Sequence, residues 1–147
     1  VSQEDMPSPE LLALVLNCLH VLTSRDIPLT QIKAVFELRC ACIAGYTPAL
    51  HGCYACGTAQ AERFDISEGK LECVRCRSFA SQSIRLPVSA GVLESMRYIC
   101  SCDSKKLFSF TSGVDTLEML SGISESYLTT QLERGFSTLD FYKTVSN

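Results

Sequence analysis

His51-Gly52-Cys53-Tyr54-Ala55-Cys56-Gly57, answered further on by Cys73-Val74-Arg75-Cys76, is the stretch that decides how this chain folds. Its two C-x2-C pairs stand sixteen residues apart. A C-x2-C turn aims two thiolates at one point, and a hairpin of that length returns a second turn to face the first. This is the spacing of a four-thiolate zinc site. Gly57, directly after the first pair, allows a tight knuckle with backbone amides near the sulfurs. Between the pairs, Arg63-Phe64-Asp65-Ile66 and Lys70-Leu71-Glu72 alternate polar and apolar about Ser67-Glu68-Gly69, which predicts a short β-hairpin.

Other chemistries compete for these sulfurs. Disulfides need an oxidising compartment, and nine cysteines is an odd number. A thioredoxin-like pair needs its C-x2-C at the mouth of a βαβ unit, and no such pattern is visible. Iron accepts the same four sulfurs and stays open, with zinc preferred on spacing. Four thiolates close the shell, so one structural Zn²⁺ held by Cys53, Cys56, Cys73 and Cys76 is expected, and no catalytic metal. His51 then has no place among the ligands and reads as an outer partner at best. Cys18, Cys40, Cys42, Cys100 and Cys102 read as small buried hydrophobes.

At 147 residues the chain is expected to form one helical domain over 1–147, with the metal hairpin inserted at about 50–80. An apolar fraction of 46% against 20% charged is that of an ordinary globular protein, not a disordered one. No apolar run reaches the length of a transmembrane helix. The formal charge of −3, made more negative by about −2 from four thiolates around Zn²⁺, argues against strong nucleic-acid binding by this chain alone. The charge is uneven, however. Lys70, Arg75, Arg77, Arg85, Arg97, Lys105 and Lys106 make 70–106 basic, either a solvated face or a phosphate-facing patch.

Val1 to Pro7 is polar and opens without methionine, which reads as a processed or truncated end. Ser8-Pro9-Glu10 is a helix opening, and the wide stripe of Leu11, Leu12, Leu14, Val15, Leu16, Cys18, Leu19 and Leu22 predicts a helix packed on two sides. His20 within it reads as a partly buried core residue. Thr30 is expected to cap a second helix that carries Ile32, Val35, Phe36, Cys40 and Ile43 and stops at Gly45. Ser89 caps a third helix with Val92, Leu93, Met96 and Ile99. Leu107-Phe108-Ser109-Phe110 is undecided between helix and strand. A final helix is expected from Val114 to about Phe136, with Gly122 a candidate kink and Leu117, Leu120, Ile123, Tyr127, Leu132, Phe136 and Leu139 on its buried side. The fold class is therefore mainly α: a small helical bundle with an inserted four-cysteine, zinc ribbon-like β-hairpin.

Three linked stretches resemble the RecO family of bacterial recombination mediators. Phe36-Glu37-Leu38-Arg39, then Gly45-Tyr46-Thr47-Pro48-Ala49-Leu50, then Cys53-x2-Cys56-Gly57 is similar to that family's F-E-L-R, G-Y-x-P-x-L and C-x-x-C-G run. The hairpin Phe64-Asp65-Ile66 to Gly69, followed by Cys73-x2-Cys76, resembles the part that comes next, and Tyr127-Leu128, Gln131-Leu132, Arg134, Phe136, Leu139 and Phe141 resemble its closing helix. The resemblance implies a helical zinc domain that follows an OB-fold in the longer family members. No such barrel pattern is visible here, and single-stranded DNA would be met mainly through it.

The resemblance further implies a non-enzymatic factor for DNA repair and homologous recombination. It would work with RecR, load recombinase onto DNA coated by single-strand DNA-binding protein, anneal strands, and reside in the bacterial cytoplasm at the nucleoid. Within this chain, Arg75, Arg77, Arg85, Lys105 and Lys106 are the candidates for DNA proximity. Arg39 is the candidate for holding the acidic C-terminal tail of the coating protein, since one arginine at an apolar rim can grip a carboxylate. Its plainer reading is an ion pair with Glu10 or Glu37. The alternative function is a generic zinc-ribbon interaction module of another nucleic-acid complex. An enzyme is disfavoured, because only two histidines are present and no nucleophile–base set is visible.

Overall fold

The computed structural model describes residues 8–24, 26–76 and 84–146, with side chains described through 135. Four α-helices and one small sheet follow in the order α1 (Pro9–Ser24), α2 (Leu29–Ile43), β1 (Ala49–Cys53), β2 (Arg63–Asp65), β3 (Lys70–Glu72), β4 (Arg85–Pro87), α3 (Ala90–Ser101) and α4 (Val114–Ser146). A single 3-10 turn, Ser104–Lys106, follows α3. The mainly helical class with its metal-ribbon insert is thus the observed one.

The local signals act largely as read. The Ser8 hydroxyl accepts the Leu11 amide at 3.0 Å, and Ser89 caps α3 through the Val92 amide at 3.2 Å. Helix α2 closes on Gly45 at φ 97, with the Gly45 amide donating to Cys42 O and the Tyr46 amide to Ala41 O. That paired closure is the Schellman arrangement, which only a left-handed residue completes without strain. Thr30 does not cap α2. The helix starts one residue earlier, and the Pro28 carbonyl takes the Gln31 and Ile32 amides.

The core is organised around α2, whose Ile32, Ala34, Val35, Leu38 and Ala41 are buried because α1, α3 and α4 all pack on it. The expectation that α1 packs on two sides is corrected. It buries only Leu14 and Cys18 against α2, while Leu12, Leu16 and Leu19 are 49%, 58% and 53% exposed. His20 is exposed with that outer face. Leucines all round a helix signal burial only if a neighbour covers each side. Among the described residues none covers this one.

The 107–110 segment is neither helix nor strand. Leu107 is buried, and the Gln31 side chain fastens the loop by donating to Phe110 O at 2.9 Å. Helix α4 runs through Gly122 without a break and continues to Ser146. Leu117, Leu120, Ile123 and Tyr127 are buried as expected, whereas Leu132 is 41% exposed; the side chains of Phe136, Leu139 and Phe141 lie outside the described residues.

The hairpin is part of a larger sheet in the order β1-β3-β2-β4. β2 and β3 pair antiparallel with Phe64 opposite Leu71, β1 joins β3 in parallel, and β4 joins β2 antiparallel. Ile84-Arg85-Leu86-Pro87 reads as extended from the sequence and holds β4 here, whereas β1 has no clear alternation for a period-two reading to find.

Candidate metal centre and the surfaces around it

Cys53 ends β1, and the chain turns at once through 54–56. The Gly57 amide donates to Cys53 O and the Cys53 amide to Thr58 O, both at 2.9 Å. Gly57 sits at φ 78, and a Cβ on Gly52 would lie 2.6 Å from Gly57 O, so the knuckle folds back onto its own strand. The second knuckle follows β3 directly, with the Cys76 amide donating to Cys73 O at 3.3 Å. The Tyr54 amide donates to Leu71 O at 2.8 Å and its hydroxyl to Cys76 O at 3.2 Å, tying the knuckles together.

The sulfurs of Cys53, Cys56, Cys73 and Cys76 all lie within 4.8 Å of one another, and Cys56 and Cys73 are 3.7 Å apart. Four Zn–S bonds of about 2.3 Å in a tetrahedron place sulfurs roughly 3.8 Å apart, so the donor set fits such an ion. Burial disfavours the Cys53 thiolate, but the amides of Cys56, Ala55 and Cys73 outweigh it and bring Cys53 down to about 6. The Cys73 and Cys56 sulfurs push Cys76 up to about 12. One negative charge forms readily in this cluster and the next is resisted. A divalent cation at the centre removes that conflict. Four protein sulfurs leave no position for water or substrate.

The hairpin is mounted on α4 by three side chains. Tyr127 packs edge-on against Phe64, with ring centroids 5.3 Å apart, and donates its hydroxyl to Tyr46 O at 2.6 Å. Gln131 donates to Ile66 O at 2.9 Å and to Ser67 O at 3.3 Å, and Arg134 also reaches Ser67 O. Gln131 and Arg134 thereby meet the turn that Asp65 builds by accepting the Ser67 and Glu68 amides. From the other side, Arg97 of α3 donates to Leu50 O at 2.7 Å.

The described residues among those expected to face DNA lie on different elements. Arg75 is exposed in the second knuckle, and Lys105 and Lys106 are exposed in the 3-10 turn after α3. Arg77 lies outside the described residues. Arg85 is corrected. Its guanidinium is committed to the buried Glu72 carboxylate at 2.7 Å, because a carboxylate inside the sheet needs a cation more than the surface does. His51 is exposed on β1 and is not among the clustered sulfurs.

Arg39 pairs with neither Glu10 nor Glu37. It donates to Ile99 O at 2.9 Å and Cys102 O at 3.0 Å, closing the C-terminal end of α3, while Glu37 pairs with Lys33. Beside it a groove of about 370 Å³ opens between α1, α2 and the segment after α3, with Ala13, Leu14, Ile43 and Leu107 as its apolar lining and Arg39 and Glu10 as its charges. Periodicity could not reveal this groove, since Leu107 reaches it from a loop. Of the five cysteines expected to be buried, only Cys18 is; Cys40, Cys42, Cys100 and Cys102 are partly exposed.

No described helix is long and apolar enough to cross a membrane. The family model for the C terminal of recombination protein O matches residues 1–140. Among relatives, the DNA repair protein RecO of Acetivibrio thermocellus is 31% identical over 142 residues, covering 97% of this chain and 57% of that protein. Those of Alkaliphilus metalliredigens and Pelotomaculum thermopropionicum are each 27% identical, over 99% and 96% of this chain and 59% and 54% of theirs. The chain therefore spans less than three fifths of the length of these relatives.

Proposed function

The chain belongs to the RecO family of DNA repair proteins, and we propose that it is the zinc-stapled, non-enzymatic docking part of a recombination mediator. The mediator would act with RecR in the bacterial cytoplasm, at the nucleoid. It would load recombinase onto single-stranded DNA covered by its coating protein, and anneal complementary strands. Zinc is the metal that four thiolates in a closed shell suit best, and its task is to pin the sheet to the helices. Family membership replaces the generic zinc-module reading.

The single observation that carries the docking role is the groove beside Arg39. The apolar lining suits a peptide that is apolar and acidic at once, because Arg39 at its edge, with Lys105 and Lys106 just beyond Ser104 of its wall, outnumbers the one carboxylate there, Glu10. The C-terminal tail of single-strand DNA-binding protein has that chemistry. Arg75, Lys105 and Lys106 are the residues left for DNA proximity among those described.

Fluorescence anisotropy with a labelled tail peptide tests this. Ala13 is exposed on α1 and lines the groove, so Ala13→Glu adds bulk and negative charge without touching the core. The variant should bind at least about tenfold more weakly, the loss of one charge-assisted contact or its equivalent. Unchanged affinity, or no binding by the parent chain, would remove the groove from the proposal.

A further inference from the structure

Two cysteines outside the metal centre face each other across a helix pair. Cys42, in the last turn of α2, has its sulfur 3.5 Å from that of Cys100 in the last turn of α3. Both residues are partly exposed. A disulfide has an S–S bond of about 2.05 Å, so the sulfurs need to close by roughly 1.5 Å. Arg39 lies one turn before Cys42, and its guanidinium holds the carbonyls of Ile99 and Cys102, on either side of Cys100. A cation is thereby fixed beside both thiols by two hydrogen bonds.

We propose that Cys42 and Cys100 are a redox modification site, forming a reversible disulfide that ties α2 to α3 when the protein meets a peroxide. The division of labour between the sulfurs follows from their surroundings. The hydrogen bond shared with Cys100 lowers Cys42 against the opposing effect of burial, with help from Thr47 and Arg39, and brings it to about 7. Cys100 is pushed far up by the same hydrogen bond and by burial. Cys42 is therefore the thiolate and Cys100 keeps the proton.

The Cys42 thiolate attacks the peroxide, breaks its O–O bond and becomes a sulfenic acid, the departing oxygen leaving as water or alcohol once protonated. Cys100 then attacks the Cys42 sulfur, its proton leaves with the hydroxyl as a second water, and the S–S bond forms. Two thiols have given up two electrons and two protons to one peroxide. A dithiol reductant reverses the change. The partners are 58 positions apart, and the bond closes a loop that contains the whole metal module. It also forms beside Arg39, the charged edge of the groove.

Metal-loaded protein treated with hydrogen peroxide, alkylated and digested without reduction gives the test, with bound metal measured in parallel. The expected product is a peptide joining Cys42 to Cys100, in protein two hydrogens lighter than before, with metal retained and thiols recovered by dithiothreitol. Cys100→Ser should leave Cys42 as a sulfenic acid that a dimedone probe traps, and Cys42→Ser should abolish both products. The peptide map of the unsubstituted protein decides the matter even if a variant fails to fold. Oxidation that first releases the metal, or that leaves Cys42 and Cys100 unlinked at full consumption of peroxide, would overturn the proposal.

Discussion

Tyr127 is the most exacting place to perturb the joint between the helices and the metal module. Its hydroxyl donates to Tyr46 O at 2.6 Å, its ring meets Phe64, and it is 3% exposed. Tyr127→Phe keeps the ring and leaves the Tyr46 carbonyl without that donor, a cost of about 1–3 kcal/mol. Tyr127→Ala also empties the ring's place in the core, for about 3–5 kcal/mol. At roughly 2–4 °C per kcal/mol for a chain near this size, the Phe variant melts about 2–12 °C lower. Burial raises the Tyr127 pKa above its ordinary value of 10.0. The unfolded chain therefore ionises first, so stability is complete below about pH 10 and falls as pH rises above it. Tyr127→Phe lacks that part of the alkaline loss. Gly69 offers a second check, because at φ 66 a Cβ there would stand 2.7 Å from the Tyr127 hydroxyl. Gly69→Ala should cost less in the Tyr127→Phe background than alone, a coupling that a double-mutant cycle measures. Thermal unfolding of metal-loaded protein, followed by circular dichroism across pH, reads all three. A Phe variant within about 0.5 kcal/mol of the parent, with additive Gly69 effects, would refute this account of the joint.

Two further outcomes follow from the sheet. Elemental analysis should find one zinc per chain, and Cys73→Ser or a strong chelator should remove it and expose the 49–72 amides to hydrogen exchange, since binding and local folding are one equilibrium. Arg85→Met should lower the midpoint of denaturant unfolding, because it strands the buried Glu72 carboxylate; adding Glu72→Gln should recover part of that, and an unaffected single variant would show the pair to be dispensable.

The legible parts of this molecule were those with a short-range physical cause. A C-x2-C pair places its own sulfurs, a serine before a proline caps its own helix, and a left-handed glycine closes its own Schellman turn. Those readings needed no knowledge of neighbours. What stayed hidden depends on what stands opposite. The exposed leucines of α1 are chemically the same as buried ones, and only packing tells them apart. Arg85 looks like any surface arginine until Glu72 is found inside the sheet beside it. Cys42 and Cys100 sit in unrelated helical patterns, and no spacing rule announces that their sulfurs meet.

The stretches that carry the family likeness converge on one location. The 36–50 stretch ends α2 and supplies the Tyr46 carbonyl; the hairpin supplies Phe64, Ile66, Ser67 and Gly69; the closing helix supplies Tyr127, Gln131 and Arg134. Side chains that read a partner would face outward, yet Phe64, Ile66, Tyr127 and Gln131 are buried. The likeness therefore records first how a metal-bound sheet is mounted on helices. Partner choice has to be written on residues outside that joint, such as the groove lining and the exposed Arg75, Lys105 and Lys106. For that reason Ala13→Glu should weaken docking at least about tenfold in a protein that melts like its parent, whereas Tyr127→Phe should lower the melting temperature in a protein that still docks. The two variants separate recognition from architecture, and a shared phenotype would show that the groove and the joint are a single cooperative unit.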